Sequence, residues 1–344
     1  MLLIWSGFIV FVLLLLLLDF ATINRHPHAI PMKEALRWSA VWIAVGVGFS
    51  LIIYDGYAHH RFGLGVWPDA VDGRLNGGTA AAGKYLTGYV LEKALSVDNL
   101  FVIAVIFRFL VVPPAYQHRL LMWGILGAMF LRGLMIGVGV ELIQHYHWVL
   151  YVMGGFLLIT GGRLLFLPED PPDPSKDPIL RLARKLLPLT PRYDGLKFLT
   201  IENGRRVLTP LFLALVLVET GDAIFAVDSV PAVFGVTADP LLVYTSNIMA
   251  ILGLRALYFA LAGLIDRFRY MKVSLAIILL VVGAKMIGRH WIRAAVGDYA
   301  SFYLLGLIAL ILGAGILASI LWPVEKEETR GHEDAGTRRK AERV

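Results

Sequence analysis

Long apolar runs separated by short polar loops are the main pattern of the chain. Runs of about 20 apolar residues, the length that an α-helix needs to cross a bilayer, occur nine times in the sequence. The predicted membrane spans are residues 2–20, 36–54, 85–110, 120–143, 148–167, 208–234, 241–265, 273–287 and 302–322. The pattern predicts an all-α polytopic membrane protein with about nine transmembrane helices. The first run is expected to be a retained anchor helix, because no basic start precedes it and no small-residue cleavage signal follows it.

Basic residues in the loops predict how these spans are oriented. The loops after the first, third, fifth and seventh spans are rich in lysine and arginine, with eight such residues between positions 176 and 206, whereas the alternate loops hold few. Because cytoplasmic loops carry the excess of positive charge, the N-terminus is predicted outside and the C-terminus in the cytoplasm. The basic, amphipathic segment 176–187 is expected to lie on the cytoplasmic membrane surface, and a docking site for a cytoplasmic protein partner at 176–206 is the alternative.

The composition narrows the class of protein. The chain is 58% hydrophobic and 17% charged, which is typical of a membrane protein and not of a soluble domain. Its net charge of +6 comes from loop residues between apolar spans, so a nucleic-acid partner is not indicated. Cysteine is absent, which excludes disulfides and thiolate metal sites. No Walker A, G-x-S-x-G or H-E-x-x-H motif occurs, so neither an enzyme nor a prosthetic group is predicted.

The third and sixth predicted spans carry the same spacing of acidic residues. LEKALSVDNLFV occupies positions 91–102, and TGDAIFAVDSVPAV occupies positions 220–233. Aligning Asp98 with Asp228 also aligns Glu92 with Asp222, because each pair is six residues apart. Similarity by chance between apolar helices is the competing explanation. The matches fall on charged residues, which are rare inside the spans, so we interpret them as an internal repeat.

The helices that follow extend this repeat. FLRGL around Arg132 matches GLRAL around Arg255, and GGR ending at Arg163 matches GAK ending at Lys285. Three helices, 85–167, are thus repeated as 208–287. The third span runs inwards and the sixth outwards in the predicted topology, so the two copies are inverted. Inverted repeats with broken, polar first helices are typical of secondary transporters, whose binding site lies near the midplane between the halves.

Six segments follow from these assignments. They are two N-terminal helices with an outer linker (1–84), the first three-helix repeat (85–167), a cytoplasmic linker with the amphipathic segment (168–207), the second repeat (208–287), the last membrane helix (288–322) and a disordered cytoplasmic tail (323–344).

Carboxylates inside the predicted spans are the candidate functional groups. An ionisable residue at bilayer depth costs about 2.5–3.5 kcal/mol on insertion scales and therefore needs a partner or a function. Pro231 cannot donate a backbone hydrogen bond, so it frees the carbonyl of Val227 beside Asp228. Carboxylate and carbonyl oxygens suit Mn²⁺, Mg²⁺ and Ca²⁺. The predicted cation ligands are the acids Glu92, Asp98, Glu219, Asp222 and Asp228, with neutral oxygens from Asn99, Ser229 and Asn247.

The negative charge of five ionised acids would exceed the positive charge of one divalent ion. Some of the acids are therefore expected to be protonated in the empty site and to exchange their protons for the cation. This is the basis of a proton-antiport hypothesis. On a straight helix Glu92 and Asp98 would point about 120° apart, so both can reach one ion only if the helix breaks between them.

Several charged residues in or near the spans have competing interpretations. Arg132 and Arg255 lie well inside their spans, where they could neutralise the acids of the empty site or hold helices together by capping backbone carbonyls. Lys93 is expected to pair locally or to extend its charge outwards. Asp19 and Glu141 lie near span ends and are expected at the membrane interface. The acids as a whole could instead pair with arginines in a purely structural, kinked bundle.

The motifs GYVLEKALSVDN, ETGDAIFAVDSVPAVF and SNIMAILGLRALYF resemble those of the TerC family of membrane proteins, and most of all its Alx-type branch. The resemblance extends from Asp19 through the ninth span. The family is similar to the lysine-exporter superfamily in its inverted three-helix repeats, and it is associated with Mn²⁺ efflux, tellurium resistance and alkaline or manganese-responsive regulation. The resemblance implies functional acids at Glu92, Asp98, Glu219, Asp222 and Asp228. Gly221 departs from the family pattern, in which a serine is more frequent, and this removes one hydroxyl ligand.

Three functions fit these observations. The first, which the sequence favours, is a secondary transporter of the inner membrane that exports Mn²⁺ or a similar hard divalent cation by proton antiport, with the metal ion as substrate and the lipid bilayer as its surroundings. The second is an exporter of a cationic organic solute. The third is a membrane scaffold for a metal or tellurite stress-response complex.

Overall fold

The computed structural model describes residues 2–23, 32–166, 178–202, 204–261, 269–289, 291 and 300–321. The predicted disordered tail (323–344), the start of the predicted linker (168–177) and the end of the seventh predicted span (262–265) lie outside these residues. The helices are α1 (Leu2–Ile23), α2 (Met32–Ala58), α3 (Gly78–Phe109), α4 (Pro114–His145), α5 (Val149–Phe166), α6 (Pro178–Leu186), α7 (Pro210–Phe234), α8 (Pro240–Leu252), α9 (Leu254–Leu261), α10 (Arg269–Ile287) and α11 (Ala300–Leu321).

Two smaller elements complete the described secondary structure. A 3₁₀ turn, Arg61–Gly63, follows α2, and an antiparallel hairpin of β1 (Leu199–Glu202) and β2 (Arg205–Leu208) precedes α7. The hairpin lies in the segment that was predicted as a linker, and the amphipathic helix predicted there is present as α6. Leu180 and Ala183 of α6 are buried, so part of its apolar face packs on the protein.

Proline marks the starts of the central helices. Pro114, Pro210 and Pro240 are the first residues of α4, α7 and α8, where a missing N–H costs no helical hydrogen bond. At α8 the Asp239 side chain also accepts hydrogen bonds from the N–H groups of Leu241 and Leu242. Local sequence therefore fixes where these helices begin.

Within the described residues, seven helices are long and apolar enough to cross a membrane, and the pair α8–α9, bent by 42° at Gly253, is an eighth if the two form one span. Helix α3 has 32 residues, but each of its 18-residue windows holds at least three charged side chains, more than the two that a candidate span is allowed. The prediction of an all-α polytopic membrane protein is confirmed. The count of nine spans is not confirmed, and it depends on the charged helix α3.

The first helices of the two predicted repeats, α3 and α7, pack against each other and run antiparallel. Early in α3, a side-chain carbon at Gly88 would lie 3.2 Å from Val233, near the end of α7. Farther along α3, Asn99 donates a hydrogen bond to Asp222, in the middle of α7. Opposite directions in the two copies are what an inverted repeat predicts.

The third helices of the repeats, α5 and α10, show the same relation. A Cβ at Gly154 would lie 3.2 Å from the Gly283 carbonyl oxygen, and a Cβ at Gly161 would lie 2.9 Å from that of Ala276. The contacts thus move forwards along α5 and backwards along α10. Glycines at the contact let the two backbones approach closely, as is common between membrane helices.

Buried apolar side chains form two clusters that meet along α7. Residues 211–218 belong to one cluster, with side chains mainly from α2, α3 and α8. Ala226, Val230 and residues 232–234 belong to the other, with side chains mainly from α4, α5 and α10. Asp222 lies between the two, so the charged centre of the protein is at the junction of its apolar cores.

Candidate cation site around Arg132

The central charged group is Arg132 on α4, whose side chain is 1% exposed. Its Nη2 donates to Oδ1 of Asp222 at 3.0 Å, and its Nε donates to Oδ2 at 3.3 Å. Its Nη1 donates to Oε1 of Glu92 on α3. The planar guanidinium matches two carboxylate oxygens at once, so Arg132 joins the first helices of both repeats.

Neutral polar groups complete this centre. Asn99 donates to Asp222 at 2.7 Å, and Ser96 donates to Glu92 at 3.3 Å. Arg132 Nη1 also donates to the Asn247 carbonyl oxygen at 3.1 Å and to the Ser229 hydroxyl at 3.3 Å. We call the following residues the Arg132 cluster: Glu92, Asn99, Arg132, Asp222, Ser229 and Asn247. All six are buried.

Two buried acceptors of the cluster remain without a hydrogen bond. Glu92 Oε2 and Asn99 Oδ1 have no partner in the part of the chain that the structure describes. An unmet buried acceptor costs about 1–3 kcal/mol, so such groups are rare unless they bind something. A carboxylate oxygen and an amide oxygen are the ligand types that hard cations prefer.

Helical periodicity explains which predicted residues meet. Glu92, Ser96 and Asn99 are spaced i, i+4 and i+7 on α3 and therefore share one face. Asp222 and Ser229 are likewise seven residues apart on α7. These two faces oppose each other across the antiparallel pair, and α4 brings Arg132 between them.

The other predicted acids lie at different angles. Asp98 and Asp228 precede Asn99 and Ser229 by one residue, which turns them about 100° around their helices. Helix α3 is continuous over Gly78–Phe109, so the break that would bring Asp98 beside Glu92 is not formed. Asp228 accepts a hydrogen bond from Thr160 on α5.

Glu219 occupies a third position, one turn before Asp222 on α7. A side-chain carbon at Gly127 on α4 would overlap the Glu219 carboxylate, so this glycine makes room for the acid. Among the described residues, no three acidic or histidine side chains are close enough to share a metal ion. Five of the eight predicted ligands are gathered in the Arg132 cluster, and the full ligand set stays a prediction.

Arg255, the counterpart of Arg132 in the second repeat, has a different partner. Its Nη2 lies 2.7 Å from Oδ2 of Asp19 on α1 and donates to the Asp19 backbone carbonyl at 3.0 Å. Both side chains are buried, so Asp19 is a structural partner of Arg255 and not a solvated interfacial residue. Each of the two interpretations therefore applies to one arginine. Arg132 pairs with the acids, whereas Arg255 holds α1 in place through the side chain and carbonyl of Asp19.

Lys93 points inwards, so its expected local pairing or outward extension is wrong. Its Nζ donates to the Ala250 carbonyl at 3.0 Å, and a Cβ at Gly253 would lie 2.7 Å from this nitrogen. Lys93 therefore places its amine at the C-terminal end of α8, where the helix dipole favours positive charge.

A second polar network, which the sequence interpretation missed, lies where α3 begins. Lys84 Nζ contacts Asp69 at 2.8 Å, Asp72 at 2.7 Å and the Asn76 carbonyl oxygen at 2.7 Å. Asp69 also accepts hydrogen bonds from the Thr237 hydroxyl and, at 3.0 Å, from the backbone N–H that follows it. We call Asp69, Asp72, Asn76, Lys84 and Thr237 the Lys84 network.

The charge of Asp69 is stabilised by this network. Burial by itself would raise the pKa of Asp69, but Lys84 and the hydrogen bonds outweigh it and hold the pKa below its usual range. The network borders a cleft of about 1520 Å³ that is also lined by Lys285 and Arg289. The signal in the sequence that could have indicated the Lys84 network is Lys84 itself, a lysine directly before the third predicted span.

Comparison with known proteins agrees with the motifs. The integral membrane protein TerC family matches residues 77–327. A Myxococcus xanthus membrane protein named STKORF319 is 44% identical over 320 residues, 92% of each chain. A relative from Escherichia coli K12, named "Putative membrane-bound redox modulator Alx", is 42% identical over 287 residues, 83% of this chain and 85% of the relative. No solved structure matches the chain. The protein belongs to the TerC family of integral membrane proteins.

Proposed function

We propose that the protein is a secondary transporter of the inner membrane that exports a hard divalent cation in exchange for protons, and that this cation is Mn²⁺. The observation that carries this proposal is that two buried carboxylates contact the same cationic group, the guanidinium of Arg132. Glu92 comes from the first helix of one repeat and Asp222 from the first helix of the other. The substrate would bind where the two repeats meet.

The chemistry of the Arg132 cluster supports a hard cation. Every atom of the cluster that could bind a metal ion is an oxygen, from a carboxylate, amide or hydroxyl group. Such ligands suit Mn²⁺, Mg²⁺ and Ca²⁺, whereas soft ions prefer the thiolates that this chain lacks. Glu92 Oε2 and Asn99 Oδ1, which have no hydrogen-bond partner among the described residues, are two oxygens that an entering ion could bind.

The position of the cluster supports transport. Transporters with inverted repeats bind their substrate where the repeats meet and expose it to either side by rocking one repeat against the other. Helices α3 and α7 run antiparallel on the two sides of the cluster, so a relative tilt would open one end or the other. Glu219 and Asp228 lie along α7 on either side of Asp222 in sequence and offer further protonatable groups for the antiport step.

The name of the Alx relatives suggests an effect on redox state. This chain has no cysteine, so an effect of this kind cannot act through its own thiols. Mn²⁺ export would change the redox chemistry of the cytoplasm indirectly, through the metal. The name is therefore compatible with the transport proposal.

A membrane scaffold is the second candidate, because the hairpin β1–β2 presents apolar and basic residues. Ile201 is 71% exposed, Leu199 is 54% exposed, and both Arg205 and Arg206 are exposed. A cytoplasmic protein with an acidic, apolar surface would fit this hairpin. The scaffold function predicts that removal of the hairpin, and not substitution of the acids, abolishes the cellular phenotype.

Transport by purified protein in proteoliposomes tests the proposal. Mn²⁺ flux is expected in the wild type and is expected to fall at least tenfold in Glu92→Gln and Asp222→Asn. Glu141→Gln, an acid on α4 that is 70% exposed, is the matched control and is expected to retain flux. A pH-sensitive dye inside the vesicles reports proton exchange, and competition by lysine would indicate an organic cation instead. If the wild type moves no Mn²⁺, the proposed function is wrong.

A further inference from the structure

We infer that Arg132 is a tethered counter-ion, whose guanidinium holds the place of the transported cation in the empty protein and leaves that place when the cation enters. The inference rests on the proposed function and adds to it how the empty site is neutralised. It assigns to Arg132 a positioning role in cation exchange and makes it the determinant of the apparent affinity.

The first argument is geometric. Arg132 contacts the acids through all three of its nitrogens, with Nη1 on Glu92 and with Nε and Nη2 on Asp222. A metal ion bound by both carboxylates would have to lie between them, which is the space that the guanidinium fills. Cation and guanidinium therefore exclude each other from the position between Glu92 and Asp222.

The second argument is the charge balance. Two ionised carboxylates and one guanidinium leave a single negative charge at a buried centre. A divalent ion neutralises both carboxylates without any help from Arg132. If the guanidinium stayed in place beside the ion, two cationic groups would lie a few ångströms apart in a medium of low dielectric, where their repulsion is strong. Displacement of Arg132 removes this repulsion.

The third argument is that α4 and α7 offer the displaced guanidinium another partner. The Glu219 carboxylate lies against Gly127, in the same α4–α7 interface and one turn from Asp222. This interface thus contains a third carboxylate besides those of Glu92 and Asp222, and it lies on α7, the helix that already carries one partner of Arg132. Arg132 would alternate between Glu92 with Asp222 in the empty protein and Glu219 in the loaded one.

The counterpart in the other repeat shows that an arginine at this position need not face the acids. Arg255 binds the side chain and backbone of Asp19 on α1, and among the described residues it makes no hydrogen bond or ion pair with the Arg132 cluster. In the second repeat the arginine therefore has a structural role, with a single acidic partner on α1. Arg132 instead contacts the two buried acids Glu92 and Asp222, and it forms no other ion pair within the part of the chain that the structure describes.

The decisive experiment compares equilibrium binding with turnover in the same variants. Mn²⁺ affinity is measured by calorimetry on purified protein, and Mn²⁺ flux is measured in proteoliposomes. In Arg132→Gln the internal competitor is gone, so the affinity is expected to rise about tenfold or more, while flux falls because the empty carboxylates lack their counter-ion. Arg132→Lys keeps the charge but loses the two-pronged contact, so its affinity is expected to rise less and its flux to remain partial.

Two further variants test Glu219 as the second position of the guanidinium and provide a control at the other arginine. Glu219→Gln removes the second docking position, so the affinity for Mn²⁺ is expected to fall about threefold to tenfold. The double variant Asp19→Asn with Arg255→Gln removes the counterpart pair together, and its affinity is expected to match that of the wild type.

The outcomes separate the inference from the proposed function. If the wild type binds and transports Mn²⁺ but both Arg132 variants bind it more weakly, Arg132 helps to build the site and the inference is wrong while the function stands. Should Arg132→Gln not fold, the direction of the affinity change in Arg132→Lys decides, and an unchanged or weaker affinity overturns the inference. If the wild type neither binds nor transports Mn²⁺, both are wrong.

Discussion

Asp69→Asn is expected to destabilise the protein by breaking the centre of the Lys84 network. Asp69 is 4% exposed and contacts the buried amine of Lys84 at 2.8 Å. Removing one partner of a buried ion pair costs about 3–5 kcal/mol, because the other charge stays buried. Asp72, which is 32% exposed, still contacts Lys84 at 2.7 Å, so we expect the low end of this range, about 3 kcal/mol.

The free energy of unfolding is measured in mixed micelles with increasing denaturing detergent. The control is Asp55→Asn, which removes an exposed carboxylate that pairs with Arg61 at 2.8 Å. Exposed pairs of this kind contribute about 0–1 kcal/mol, so the control is expected to unfold close to the wild type. Equal effects of the two substitutions would show that the Lys84 network does not stabilise the fold.

The pH dependence of this prediction has a definite sign. The pKa of Asp69 is lower in the folded protein than in the unfolded chain, so its charge stabilises the fold above the unfolded value of about 3.9. This stabilisation is lost as the pH falls through the lower, folded pKa. The difference between wild type and Asp69→Asn is therefore expected to be constant from pH 8 to pH 5 and to shrink below about pH 4. A difference that grew on acidification would contradict the assignment.

Two other predictions concern helix packing and the second arginine. Gly161→Ala places a carbon 2.9 Å from the Ala276 carbonyl oxygen, so it is expected to cost about 1–3 kcal/mol by overpacking in the same unfolding assay; a neutral result would mean that α5 and α10 separate easily. Arg255→Gln leaves the Asp19 carboxylate buried without its cation and is expected to cost about 3–5 kcal/mol. Adding Asp19→Asn is expected to recover most of the loss, and no recovery in the double variant would refute the pairing.

The sequence was sufficient to predict the fold class and most of the residues that the structure brings together around Arg132. Apolar runs located the spans because length and hydropathy are properties of single segments. The shared six-residue spacing identified Glu92 and Asp222 as counterparts, and the structure brings both to one guanidinium. Asp98 and Asp228 had equal weight in the sequence, but each is turned away from its neighbour in the cluster by the rotation of a continuous helix.

What the sequence could not predict depends on contacts between distant segments. The roles of Arg132 and Arg255 differ because α1 supplies Asp19 to only one of them, and nothing in the two matching motifs records that. Asp69 and Thr237 are 168 residues apart, and no periodic pattern links a loop residue to the turn after α7. Lys93 faces the end of α8 because the bend at Gly253 exposes carbonyl groups there.

The unequal partners of the two central arginines have a consequence for the resting state. In a transporter made of two identical inverted halves, the inward and outward forms would be related by the two-fold axis between the halves and would have equal energy. Here the second repeat is anchored to α1 through Arg255 and Asp19, while Arg132 of the first repeat contacts Glu92 and Asp222. If the protein transports cations as proposed, its two forms are therefore expected to differ in energy, and one of them is expected to be preferred when no cation is bound.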